Sequence, residues 1–199
     1  MRVRRVWAIA KKDVRIYYAK GPVVIFGILV PAFFFLAFTM GRDLSGVRLA
    51  SGLVGMALWF TATSVSPVIT PWETRDGTLE RLVSAPVSVA EMLMGDVIAS
   101  AAVGAAITAI AIVGLVALLG LAVPHPFVLG TGIVLAALGF SALGVLMATI
   151  PTDRTSDVMM LATLVKFPVI FVSGIFAPVE DLPAWGQPLA YVSPLTYLV

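Results

Sequence analysis

Side chains able to do chemistry are scarce in this 199-residue chain, and beyond the basic first twenty residues they are densest in one short stretch. Residues 72–88 hold Glu73, Arg75, Asp76, Glu80 and Arg81. Elsewhere stand Asp153, Arg154 and Asp157 in a second polar patch, His125 between two prolines, and Lys166 in an otherwise apolar run. Ser64, Ser66 and Thr70 put hydroxyls into another apolar run. Hydrolytic or transfer chemistry calls for paired carboxylates, a Ser–His or Ser–Lys arrangement, or several histidines around a metal. One histidine, and acids confined to the edges of apolar stretches, supply none of these. Lys166 and Ser173, seven residues apart, align roughly on a helix without making a dyad. No GxxxxGK(S/T) phosphate loop occurs, so ATP is not bound here by that means. Cysteine is absent, which removes disulfides and thiol chemistry. The expectation is a protein that is not itself an enzyme.

What must position these groups is a bilayer. The chain is 60% hydrophobic and 12% charged, with a mean hydropathy of +1.04, whereas ordinary soluble domains carry ~25% charge. Residues 97–152 run 56 positions without a charge. Apolar runs at 21–41, 49–71, 97–123, 127–150 and 158–177 are each long enough, at ~1.5 Å per helical residue, to cross a ~30 Å hydrocarbon core. Pro31 kinks the first run, and Pro124-His125-Pro126 divides the third from the fourth. The fold class is therefore all-α: an integral membrane, polytopic helix bundle forming one domain over 1–199.

Seven of the thirteen Lys and Arg fall in the first twenty residues: Arg2, Arg4, Arg5, Lys11, Lys12, Arg15 and Lys20. With this end inside, segments 1–20, 72–96 and 151–157 carry ten Lys or Arg, against two in 42–48, 124–126 and 178–199. That bias places the N-terminus in the cytoplasm and the chain in the cell membrane. The basic cluster, not a basic face, sets the pI near 9.2, so no nucleic acid is expected. A cleavable leader is not expected either, because a long basic region is followed by a full-length span. Over 3–18, Val3, Val6, Trp7, Ala10, Val14 and Tyr17 recur at helical spacing, with Arg5, Lys12 and Arg15 on other faces. This reads as an amphipathic helix lying in the interface, or as a basic flank that only orients the first span.

The polar loop carries its own helix signals. Asp76 can cap a short helix over 76–86 with Glu80 in its first turns; Leu79, Leu82 and Val83 give an apolar face, and Pro86 ends it. Ser88 and Glu91 then form a capping box that starts the next helix. Such an element is either a lever between two spans or an ordinary solvated hairpin. Lys166 must face protein or water, as part of a path or as a tether assisted by Asp157. Ser64, Ser66 and Thr70 could line a path or simply satisfy backbone carbonyls. Asp153, Arg154 and Asp157 read as a solvated turn, and His125 as a turn residue. Ser51 with Gly55, and Gly132 with Ala136, are spacings that favour close helix packing.

Two motifs carry a resemblance over nearly the whole chain. One is the loop Glu73, Arg75, Gly77, Thr78, Leu79, Glu80, Leu82, Ala85 and Pro86, with Ala85 where Ser or Thr is usual. The other runs from Ser173, Gly174 and Pro178 to Ser193-Pro194-Leu195-Thr196-Tyr197. Both resemble the membrane subunits of ABC-2 type exporters, the class of drug-resistance, polysaccharide and nodulation-factor permeases. The resemblance implies an elbow helix at 3–18, a coupling helix at 76–86 and an outer helix at 181–191 that helps close the path. It implies that Glu73, Arg75, Gly77, Thr78, Leu79, Glu80, Arg81, Leu82 and Pro86 couple to a separate ABC ATPase, which holds ATP and Mg; this chain binds no cofactor. It also implies pairing with a second copy or close relative through spans one and five, around a path that Lys166, Ser64, Ser66 and Thr70 could line. Five spans leave the chain outside, where 193–199 reads as the lead-in to a sixth span expected beyond residue 199. A membrane scaffold or sensor that transports nothing is the alternative. A haem-exporter-like subunit fits the inner loop but not the Ser-Pro-Leu-Thr-Tyr tail.

Overall fold

A computed structural model describes residues 3–19, 21–40, 46–120, 125–150, 152 and 154–198. The described residues are helical and contain no strand. Helix α1 (Val3–Asp13) runs into a π-helical turn (Val14–Tyr18) and is followed by α2 (Gly21–Thr39). The second apolar run forms α3 (Gly46–Ser64) and α4 (Ser66–Arg75), separated only at Val65. The loop helix is α5 (Thr78–Ser84), and α6 (Val89–Leu119) and α7 (Pro126–Met147) follow. Then come α8 (Thr155–Val172), a 3-10 turn (Val179–Asp181) and α9 (Gly186–Val192). Arg2, Lys20, Arg42, Asp43, Pro124, Asp153 and Val199 lie outside the described residues.

Among the described residues four stretches are long and apolar enough to cross a membrane: Gly46–Arg75, Val89–Ala117, Pro126–Met147 and Thr155–Val172. The expected first span corresponds to α2, a 19-residue helix that contains Pro31 and no charge. Several ends differ from expectation. The span expected at 49–71 starts at Gly46, is interrupted at Val65 and runs on through Arg75, where Asp76 caps it before the left-handed Gly77 (φ 64°). The span expected at 97–123 begins at Val89, where the Ser88–Glu91 capping box starts it, and ends at Gly120 (φ 63°). The fifth span ends at Val172, short of 177, with Gly174 (φ 85°) turning the chain. The outer segment 181–191 is not one helix: a single 3-10 turn precedes α9. Residues 193–198 form turns, with Leu195 buried and the Thr196 hydroxyl donating to the Ala190 carbonyl at 2.7 Å.

The broken α3–α4 span is the centre of the bundle: an apolar 18-residue stretch of it is 89% buried, against 33%, 33% and 22% for such stretches of α6, α7 and α8. Trp59 meets Phe140 edge to face at 4.8 Å, with Met56, Leu58, Ile170 and Leu195 around them. The break has a local cause. Pro67 and Pro71 have no N–H for the carbonyls one turn back. Thr61, Thr63, Ser64 and Ser66 each turn a hydroxyl onto the carbonyl four residues earlier, a back-bonding that bends helices. Ser100 of α6 adds a 2.6 Å bond to the Ala62 carbonyl from across the interface. Gly144 of α7 lets that helix approach, since a Cβ there would lie 2.0 Å from the Ser66 hydroxyl. Gly132, by contrast, has open space around it.

Candidate functional site

The polar residues gather at the end of the bundle where α1, α4, α5 and the start of α6 meet. Helix α1 lies across α6, burying Val6, Ile9, Ala10 and Asp13. Contact is close because Gly95 has no side chain: a Cβ there would sit 2.5 Å from Ile9 Cγ2. The apolar stripe read from the sequence is thus split. Val6, Ala10 and Tyr17 turn into the protein, whereas Val3 and Trp7 are 79% and 65% exposed.

Two ion pairs tie α1 to the roots of the loop helix. Lys12 pairs with Glu73 at the end of α4, and the Tyr17 hydroxyl donates to the same carboxylate at 3.5 Å while its ring stacks on Trp72 at 5.7 Å. Arg5 lies 3.8 Å from Glu91, the carboxylate that also closes the capping box on the Ser88 N–H at 3.0 Å. Burial works against the Lys12 charge, but Glu73 and then Asp13 outweigh it and raise the ammonium pKa. Burial first, and Glu73 next, push the Tyr17 phenol up to about 12. Glu73 is therefore taken up by the contact with α1: at 3% exposure it faces inward.

The loop helix itself differs from expectation at its start. Asp76 closes α4 as its C-terminal cap, and Gly77, in the left-handed region that favours glycine, precedes α5. The Thr78 hydroxyl donates to the Glu73 carbonyl at 3.2 Å, fastening the turn. None of the α5 residues is buried. Arg75, Glu80, Arg81 and Val83 are exposed, Leu79 and Leu82 are half-buried, and Pro86 stands exposed after an extended Ala85. The result is a short amphipathic helix displayed outward between two braced roots.

The proposed path residues are not brought together. Ser64 and Ser66 spend their hydroxyls on the bend of α3–α4. Thr70 is half-buried beside a shallow pocket lined with Thr74, Thr149 and Thr152. Lys166 is buried on the inner stripe of α8 with Val158, Ala162 and Ile170. Asp157 does not tether it: that carboxylate accepts from Thr152 at 3.1 Å and Ser156 at 3.3 Å. The opposite face of α8 forms an open groove of about 870 Å³ lined by Met159, Met160, Leu164 and Phe167. His125 is exposed at the start of α7, and among the described residues no cluster of metal-ligating side chains exists.

Sequence reasoning passed over Asp13, Tyr18, Asp96 and Ser100, all of which are buried, with the Ser100 hydroxyl donating to the Ala62 carbonyl. One signal was available: Asp13 falls four residues after Ile9 and four before Tyr17, on the face that the helix buries.

The match to a known family fits this layout. The family model for the ABC-2 type transporter matches residues 4–199, and the chain belongs to that family. No curated protein and no solved structure matches it. It is a multi-pass membrane protein, a permease component and not the catalytic part of its transporter.

Proposed function

We propose that this chain is the permease of an ATP-driven exporter, working as a dimer and coupled through α5 to a separate ATPase that binds ATP and Mg. The observation that carries the reading is α5: a short helix with no buried residue, displaying Glu80, Arg81 and Val83 between roots fastened to α1 by Lys12–Glu73 and Arg5–Glu91. A partner pressing on such a helix moves α4 and α6 together with α1, because ion pairs at both roots resist independent sliding. Leu79, Leu82 and Val83 supply apolar contact, and Arg75, Glu80 and Arg81 supply charged contact. The basic N-terminal segment sets the orientation: N-terminus cytoplasmic, in the cell membrane, with α5 inside. The groove on α8, lined by Met160 and Leu164, suits a second permease copy, with the path between the two.

The test is co-purification of the tagged chain from its native host, with ATP hydrolysis as the readout. Retention of an ABC ATPase by the native chain, and its loss from Leu82→Asp without loss of folding, supports the coupling reading. A dimer that purifies intact with no ATPase would point instead to a membrane scaffold or sensor.

A further inference from the structure

We propose that the slot between α1 and α6 binds one anionic phospholipid, with its phosphate on Lys11 and Arg15 and an acyl chain lying along Ala10, Val14, Ile98 and Ala102. The slot holds about 250 Å³, and its walls are almost wholly apolar. Trp7, Lys11 and Arg15 follow at steps of four along α1 and the π turn and line its α1 side. Ile98 and Ala102 of α6 line the other side. The short side chains of Ala10 and Ala102 are what leave the space between the two elements unfilled.

The cations of the N-terminal segment divide between two tasks. Arg5 and Lys12 are paired with Glu91 and Glu73. Lys11 and Arg15 are exposed, and among the described residues neither has a carboxylate partner. Two such cations at the rim of an apolar slot complement a molecule with an anionic head and a hydrocarbon chain. A free phosphate would use the rim and leave the slot empty of contacts. A zwitterionic lipid would fill the slot but bring a quaternary ammonium that the rim repels. Lys and Arg near a membrane surface attract anionic lipid, and their stems can lie along a chain while their heads stay wet. Trp7, 65% exposed at the same rim, is of the residue type that settles at headgroup level.

The slot also stands at the depth such a lipid needs. The charges of α6 end at Asp96, and Val97 to Leu119 carries none. At ~1.5 Å per residue that part extends ~34 Å, enough for a ~30 Å hydrocarbon core. Ile98 and Ala102 stand in its first turns, so a headgroup at the rim is level with the interface while its chain enters hydrocarbon. Pockets that enclose compact ligands run to ~300–1,000 Å³, and this one is smaller. A lipid chain needs protein on one side only, because the bilayer covers the other. The inference uses α1, α6 and the bilayer alone and is independent of the transport reading.

The experiment uses the full chain in mild detergent with equal amounts of phosphatidylglycerol and phosphatidylcholine of the same acyl chains, read by native mass spectrometry. One phosphatidylglycerol per chain should be retained in preference to phosphatidylcholine. Lys11→Gln and Arg15→Gln should each weaken that retention about fivefold, the worth of one cation near an anionic surface. Ala102→Phe, which fills the slot and keeps every charge, should abolish it. Arg4→Gln removes the same charge from a residue that does not line the slot and should leave retention unchanged. A loss in Arg4→Gln equal to that in Lys11→Gln overturns the proposal in favour of diffuse attraction to a basic segment. Retention that survives Ala102→Phe, or equal retention of the two lipids, overturns it too. So does displacement of phosphatidylglycerol by millimolar inorganic phosphate, which would mark a site for the phosphate alone. Should Ala102→Phe fail to fold, quenching of Trp7 by chain-brominated lipid decides, read as the difference between the native chain and Trp7→Phe. Stronger quenching by brominated phosphatidylglycerol than by brominated phosphatidylcholine supports the slot, and equal quenching overturns it.

Discussion

Glu73 comes from the loop motif, yet its carboxylate meets Lys12, 61 positions away, and the Tyr17 hydroxyl. The Lys12 side chain is 26% exposed and that of Glu73 only 5%, so removing the cation strands a charge in a place water barely reaches. Lys12→Met is expected to cost about 2–3 kcal/mol, the partial exposure of Lys12 keeping it below the full penalty of a buried pair. Adding Glu73→Gln should restore most of that loss, measured by denaturant unfolding in mild detergent. The raised Lys12 pKa fixes the sign of a pH effect: its stabilisation is complete below the unfolded value and vanishes as pH rises through the folded one. Chemistry-bearing types in the loop were legible from the sequence, and so was their crowding. Which of them turns inward was not, because that depends on a helix nearly a third of the chain away.

Between elements, glycine decides how closely helices meet. At Gly95 an added Cβ would lie 2.7 Å from Ile9 Cβ and 3.3 Å from the Val6 carbonyl, atoms that cannot swing aside. Gly95→Ala should therefore displace α1 at a cost of about 1–3 kcal/mol and raise the rate of proteolysis within residues 3–19. Gly130, with open space around it, should accept alanine without loss. The apolar runs themselves could be read from composition, since a bilayer demands length and apolarity and little else. Their ends could be read only where a local hydrogen-bond motif exists. Ser88 and Glu91 mark the start of α6 in the sequence as in the structure. The end of α4 depends on a glycine conformation, and Asp76 falls on the near side of that glycine as a cap for the helix before it. The break at Val65 arises from prolines and hydroxyls acting together, and single-residue propensities do not add up to it.

For the molecule as a whole, order of hydropathy and order of burial disagree in a useful way. The most buried span, Gly46–Arg75, is less apolar than Val89–Ala117, which is far less buried. In lipid the outside is the apolar solvent, so hydroxyls go inward, where carbonyls can use them. By that logic α8 is anomalous, being only mildly apolar and yet the least buried of the four. Its exposed Met160 and Leu164 are expected to meet another copy: Leu164→Cys should give a disulfide-linked dimer in native membranes, while Ile110→Cys on α6 should not. With no native cysteine, single cysteines replacing Glu80 and Glu180 test orientation. An impermeant thiol reagent added to whole cells should label position 180 and spare position 80.

The π turn at Val14–Tyr18 adds one residue to a helical repeat. In a regular helix neighbours are rotated by ~100°, so two consecutive tyrosines would seldom both face one surface. The extra residue takes up that rotation, and Tyr17 and Tyr18 are both buried, at 5% and 1% exposure. Length in this region is thus constrained more tightly than identity. Many side-chain replacements between Val14 and Ile16 should be tolerated, but deleting one codon there would re-phase the segment, bring one tyrosine to the surface and turn Lys12 off Glu73 at the same stroke.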